Sequence, residues 1–284
     1  MRERDVPTPD GGKLALYSYG ADDAPGERRV VLVGGAFLTA LIYRPFSMEL
    51  SKNLGEDWAV DIYDRRGRGN SSPLPADYSM TTEIDDVRTI MEASGARNIL
   101  GHSLGGSVAL NAVQEFVGTG FEPDKLAVYD AAVNIDGSMD TRWVKGFAES
   151  VDSGRMGLAM ARLKKGMEAG TALSRVPEPI LAGLMAAVSR TKVNKLMREL
   201  MPTAVGELKA AFDEGKQPRD FSVLPGNTCF MVGCKSPAYY RVTAKRLHDA
   251  VPGSSLVVSP KGFHGSVPAA VKELVTDISS YFKD

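Results

Sequence analysis

Ser103 stands in the hexapeptide Gly101-His102-Ser103-Leu104-Gly105-Gly106, between an apolar run ending at Leu100 and a helical pattern of Leu104, Val108, Ala109, Ala112, Val113 and Phe116. A G-x-S-x-G sequence has chemical meaning in this strand, turn, helix setting. The tight turn presents the serine hydroxyl at the carboxyl edge of a sheet, and a side chain at position 101 or 105 would strike the neighbouring strand or helix. The helix N-terminus directs unpaired N–H groups at an oxyanion forming beside Ser103. The chemistry on offer is nucleophilic attack on a carbonyl. The alternative, a turn that only joins two elements, does not account for the flanking pattern.

A serine hydroxyl needs a base, most often histidine. Three histidines are present. His102 precedes the serine on the turn, so its side chain is expected to point away from the hydroxyl. His248 lies in a helical pattern and reads as boundary packing. His264, in Lys261-Gly262-Phe263-His264-Gly265, occupies the loop between the last expected strand and the last helix. With the nucleophile strand central, that loop returns over the carboxyl edge, which makes His264 the base.

The elements that must hold these residues follow from periodicity. Short apolar runs alternate with helical patterns, predicting an α/β fold with a mostly parallel central sheet flanked by helices. The expected strands are Leu14–Tyr19, Val30–Val33, Trp58–Tyr63, Asn98–His102, Leu126–Tyr129, Thr228–Val232 and Ser255–Val258. Thr82 is expected to begin one helix, Ser266 with Pro268 the last, and Ser236 with Pro237 to cap and open the helix running to Val251. Residues 134–220 break the alternation with three or four consecutive helices. They hold Met139, Met156, Met160, Met167, Met185, Met197 and Met201, which suit either ordinary helix packing or the underside of a lid over an apolar ligand. The expected organisation is a core of residues 1–133 and 221–284 with a helical lid inserted at 134–220.

Composition narrows the function classes. The chain has 284 residues, 43% of them hydrophobic, enough for a large core. Lys plus Arg number 34 against 35 for Asp plus Glu, without a basic block, so nucleic acid is not expected as a partner. No stretch has the length of a membrane span, and the charged N-terminus lacks the apolar segment of a signal peptide; a cytoplasmic protein is expected. Cys229 and Cys234 are too few for zinc and badly placed to bridge, so both are expected to be core thiols.

Over nearly its whole length the chain resembles the α/β-hydrolases. Residues 101–106 are similar to that family's nucleophile elbow, Gly262-Phe263-His264-Gly265 to its histidine loop, and Asp64-Arg65-Arg66-Gly67-Arg68-Gly69-Asn70-Ser71 to its D-x-R-G-x-G-x-S turn, in the family's order. That last turn reads as architecture, with a buried Asp/Arg pair. The resemblance implies an oxyanion loop at Val33-Gly34-Gly35-Ala36-Phe37, with the N–H groups of Ala36 and Leu104 as donors and Phe37 as rival to Ala36. It also implies an acid after the seventh strand, where this chain has Ser236. Asp130, ending the sixth strand, keeps the order serine, acid, histidine and matches a minority arrangement in the family. Its alternative role is to cap the start of the lid, and Asp136 and Asp140 are further candidates.

The expected function is therefore a serine hydrolase acting on an ester, thioester or lactone, with Ser103 as nucleophile, His264 as base and Asp130 as orienting acid. Phe37, His102 and Met160 are expected to border a small, largely apolar acyl substrate. No metal or organic cofactor is needed. Two other functions fit the same residues: a lyase, cyclase or acyltransferase on this scaffold, and a ligand receptor with little turnover.

Overall fold

Of five consecutive strands, four are buried along their whole length and one along all but its first residue, Lys125, which explains why they read as continuous apolar runs rather than alternating ones. In the computed structural model, which describes residues 1–188, 192–212 and 220–284, eight strands form one sheet. They are β1 (Arg2–Pro7), β2 (Lys13–Gly20), β3 (Arg29–Val33), β4 (Ala59–Tyr63), β5 (Asn98–His102), β6 (Lys125–Tyr129), β7 (Thr228–Gly233) and β8 (Ser255–Ser259), in spatial order β1-β2-β4-β3-β5-β6-β7-β8. β2 meets β4 and β1 meets β2 antiparallel; every ladder from β4 to β8 is parallel. β1 was not expected, because Arg-Glu-Arg-Asp-Val-Pro buries only Val6 and carries no apolar period.

The crossover helices bury both faces of the sheet. On one face, α1 (Ala40–Leu54) contributes Tyr43, Phe46 and Leu50, and a C-terminal helix contributes Leu274, Ile278 and Phe282. On the other, α2 (Met80–Ser94) and α3 (Leu104–Phe116) supply Val87, Ile90, Val108 and Val113. α2 starts two residues before Thr82; the Thr82 hydroxyl instead accepts the Ser79 N–H at 3.2 Å from the third helical position.

Five helices follow β6 among the described residues: α4 (Trp143–Asp152), α5 (Met156–Met167), α6 (Glu178–Val188), α7 (Lys192–Glu199) and α8 (Met201–Ala211). Residues 189–191 and 213–219 of the expected lid lie outside the described residues. Val144, Phe147, Met160, Leu163, Met201 and Leu208 form a separate apolar cluster that reaches Phe37 and Leu104 of the core. α8 is tied down by charge. Buried Glu207 pairs with Arg65 at 3.1 Å and with Arg68, and the Thr203 hydroxyl donates to the Gly67 carbonyl at 3.0 Å. The expected Asp/Arg pair within the Asp64–Ser71 turn is absent. Arg65 pairs with Glu83 and Arg66 with Asp86, whereas Asp64 accepts the N–H groups of Ala40 and Asn70.

After β7 comes α9 (Ala238–Ala250), and after β8 a single tight turn at His264–Ser266 precedes α10 (Lys272–Lys283). The last helix therefore begins six residues later than Ser266, whose hydroxyl is occupied in accepting the Phe263 N–H at 2.8 Å. Cys229 is buried as expected, but Cys234 is exposed, because the chain has already left the sheet there.

Candidate active site

Ser103 follows the central strand β5, which lies between β3 and β6. Its backbone sits at φ 57° and ψ −123°, a conformation few non-glycine residues adopt and one the surrounding packing must enforce. The flanking glycines are required by contact: a Cβ on Gly105 would overlap the Val33 carbonyl oxygen, and one on Gly101 would lie 2.6 Å from the Gly106 Cα.

Facing Ser103 is the loop after β3. Among the described residues, none accepts a hydrogen bond from the N–H groups of Ala36, Phe37 or Leu104. Ala36 and Leu104 border the same cavity as Ser103. Arg68 sets the orientation of one donor. Its Nη1 donates to the Gly35 carbonyl at 2.9 Å and the Leu38 carbonyl at 3.0 Å. In a trans peptide the Ala36 N–H points opposite to the Gly35 C=O, so fixing that carbonyl fixes the N–H. The Gly35 N–H is unavailable, since it donates to the Tyr43 hydroxyl at 2.7 Å.

His264 Nδ1 lies 3.2 Å from Asp130 Oδ2. The Asp130 side chain is wholly buried, and three donors surround its carboxylate: His264, the Gly233 N–H at 3.1 Å to Oδ1, and the Ser236 hydroxyl at 2.5 Å to Oδ2. The parallel pairing of β6 with β7 brings the end of one strand against the loop after the other. Ser236 therefore does not cap α9, whose first turn is preceded by Pro237; it binds the carboxylate that stands one strand over.

His102 is buried with both ring nitrogens engaged, Nδ1 to the Tyr43 hydroxyl at 2.8 Å and Nε2 to the His264 carbonyl at 3.0 Å. Because Tyr43 has the Gly35 N–H as donor, its own hydrogen goes to Nδ1, and the ring proton resides on Nε2. Burial, with the neighbouring His264, pushes His102 down to about 3, so it stays neutral. Its expected contact with substrate reduces to a stretch of cavity wall, because it has no free polar atom. His248 bonds Ser254 at 2.9 Å, away from the cavity.

Tyr240 on α9 was not singled out by the sequence. Its ring stacks on His264, with centroids 4.6 Å apart and planes within 11°, and its hydroxyl lies 3.3 Å from His264 Nε2. Ser103 borders the same cavity as that hydroxyl. A signal existed: Tyr240 stands four residues after Ser236, one helical turn beyond the position at which the acid was first sought.

Ser103, His264 and Tyr240 open on one cavity of about 130 Å³, roofed by Met139, Trp143, Leu163, Met167, Leu208 and Phe212. Met197 and Phe37 also line it. Met160 does not: it is buried within the helical cluster of residues 143–211, where the turn spacing of α5 puts Leu163 and Met167 toward the cavity. No described helix is long and apolar enough to cross a membrane.

A family model described as alpha/beta hydrolase family matches residues 30–272. Among curated proteins, none matches. Of solved structures, an alpha/beta hydrolase from Sphaerobacter thermophilus is 27% identical with a TM-score of 0.74, covering 98% of this chain and 100% of its own. A bromoperoxidase from Bacillus anthracis (20% identity, TM-score 0.73) and an esterase from Exiguobacterium antarcticum (20%, 0.71) each cover 100% of both chains. At that identity they share the fold.

Proposed function

The chain belongs to the alpha/beta hydrolase family, and we propose that it is a serine hydrolase cleaving esters, thioesters or lactones through an acyl-enzyme on Ser103. The observation that carries this reading is the single cavity onto which Ser103, His264 and the unpaired N–H groups of Ala36 and Leu104 all open, with a buried carboxylate behind the histidine.

In this reading His264 Nε2 takes the Ser103 proton as Oγ attacks the substrate carbonyl. The Ala36 and Leu104 N–H groups receive the negative charge that develops on the carbonyl oxygen, and Asp130 stabilises the imidazolium through Nδ1. Collapse of the tetrahedral adduct returns the proton to the leaving group; water then repeats the sequence on the acyl-enzyme. Residues 134–220 act as the lid, and their apolar inner face selects an apolar substrate. A cavity near 130 Å³ suits a group about as large as a benzene ring. Action in the cytoplasm is part of the proposal.

The test is hydrolysis of a panel of acyl esters graded in chain length, with matching thioesters and lactones. Short-chain or aromatic acyl groups should turn over fastest and Ser103→Ala should be inert. Folded protein that cleaves no member of the panel, or a Ser103→Ala variant as active as the parent, contradicts the proposal.

A further inference from the structure

The Tyr240 phenol occupies the side of the reaction centre where a proton must pass. Its hydroxyl lies 3.3 Å from His264 Nε2 and borders the cavity that Ser103 also lines. The ring is held by two neighbouring rings, stacked on His264 at 4.6 Å and tilted against Tyr239 at 4.3 Å, and Tyr239 is anchored in turn by donating to the Met167 carbonyl at 2.7 Å.

The stacking geometry decides what this hydroxyl can do. With the two rings within 11° of parallel, the phenol oxygen approaches Nε2 from above the imidazole plane. The Nε2 lone pair lies in that plane, so Tyr240 does not consume it, and the histidine remains free to act as base. The phenol hydrogen is correspondingly left for an oxygen beside Nε2. Once substrate binds, the leaving-group oxygen stands beside Nε2, because it must receive its proton from that nitrogen.

We infer that Tyr240 is a catalytic residue that donates a hydrogen bond to the leaving-group oxygen as the tetrahedral adduct collapses. This deepens the serine-hydrolase reading and rests on it. The Ser103 proton moves to Nε2 as the Oγ–C bond forms and the carbonyl π pair moves onto oxygen. When that pair returns, the bond to the leaving oxygen breaks and the Nε2 proton passes to it. Tyr240 keeps its own proton throughout. Burial holds the phenol well above its ordinary value of 10, so it acts as a donor without ionising.

A donor at the leaving oxygen matters most when that oxygen carries most charge. Tyr240→Phe keeps both ring contacts and removes only the hydroxyl. The experiment compares kcat/KM of wild type and Tyr240→Phe on an alkyl ester and on a nitrophenyl ester of the same acid. The expected result is a loss of about 10- to 100-fold on the alkyl ester, the range for a hydrogen bond to a charged group, and a much smaller loss on the nitrophenyl ester. The ratio between the two substrates is independent of how much of the variant is folded. An equal loss on both, or no loss, overturns the role given to Tyr240. If wild type cleaves neither ester and Ser103 takes no covalent label, it is the serine-hydrolase reading itself that fails.

Discussion

The Ser236 hydroxyl donates to Asp130 Oδ2, the same oxygen that faces His264 Nδ1, at 2.5 Å against 3.2 Å. Ser236, at the position where the resemblance implies an acid, thus supports the Asp130 carboxylate on the neighbouring strand. Ser236→Ala removes a charge-assisted bond from a buried carboxylate and should cost about 2 kcal/mol of stability. It should also lower kcat, by about tenfold, because Oδ2 loses one of the groups that aim it at His264. A melting curve and kcat measured on the same preparation check both; a fall in stability alone would point back to a helix cap.

Asp130→Asn keeps the shape of the side chain and removes its charge. By analogy with other serine triads, turnover should fall by about 10³ to 10⁴ while the fold survives. Steady-state kinetics beside circular dichroism distinguish this from the lid-capping alternative, in which the variant would melt early and turn over normally.

His102 ties the loop after β3 to the loop holding His264 through Tyr43 and the His264 carbonyl, and it does so as a neutral ring. Its folded value of about 3 lies below the 6.5 of an exposed histidine. The unfolded chain therefore binds a proton first on acidification. Stability from this site is complete above pH 6.5 and is lost as pH falls toward 3, to a limit of about 5 kcal/mol. Thermal unfolding followed from pH 7 to pH 4 should show a shallower loss for His102→Asn than for wild type; parallel curves would assign the acid sensitivity elsewhere.

Glu207 carries the charge that balances Arg68, which in turn holds the Gly35 carbonyl and so the Ala36 N–H. Glu207→Gln leaves a buried guanidinium short of a partner and should cost about 3 to 5 kcal/mol. Denaturant unfolding measures this directly. A change under 1 kcal/mol, of the order expected for an exposed ion pair, would mean that the α8 contact does not anchor the lid segment to the core.

Much of this architecture was legible because its signals are local. The central strands announce themselves by burial on both faces, and Gly101 and Gly105 by the close approaches that tolerate no Cβ. β1 was illegible because an edge strand with one buried residue has no period to read. Ser266 and Thr82 misled for a shared reason: each does accept a backbone N–H, but in a turn or at the third helical position rather than as the first residue of a helix. Ser236 was misjudged because its role depends on which strand end lies beside which, a fact of sheet order that no local pattern encodes, whereas Tyr240 was missed although its place one turn beyond Ser236 was readable.

The account stands on an activated hydroxyl at Ser103, and the most direct measurement is intact-mass analysis after treatment with a fluorophosphonate. The predicted result is one covalent adduct per chain, mapped to Ser103, absent in Ser103→Ala and formed far more slowly in His264→Ala. Folded wild-type protein that takes up no adduct, or an adduct that persists in Ser103→Ala, would contradict it.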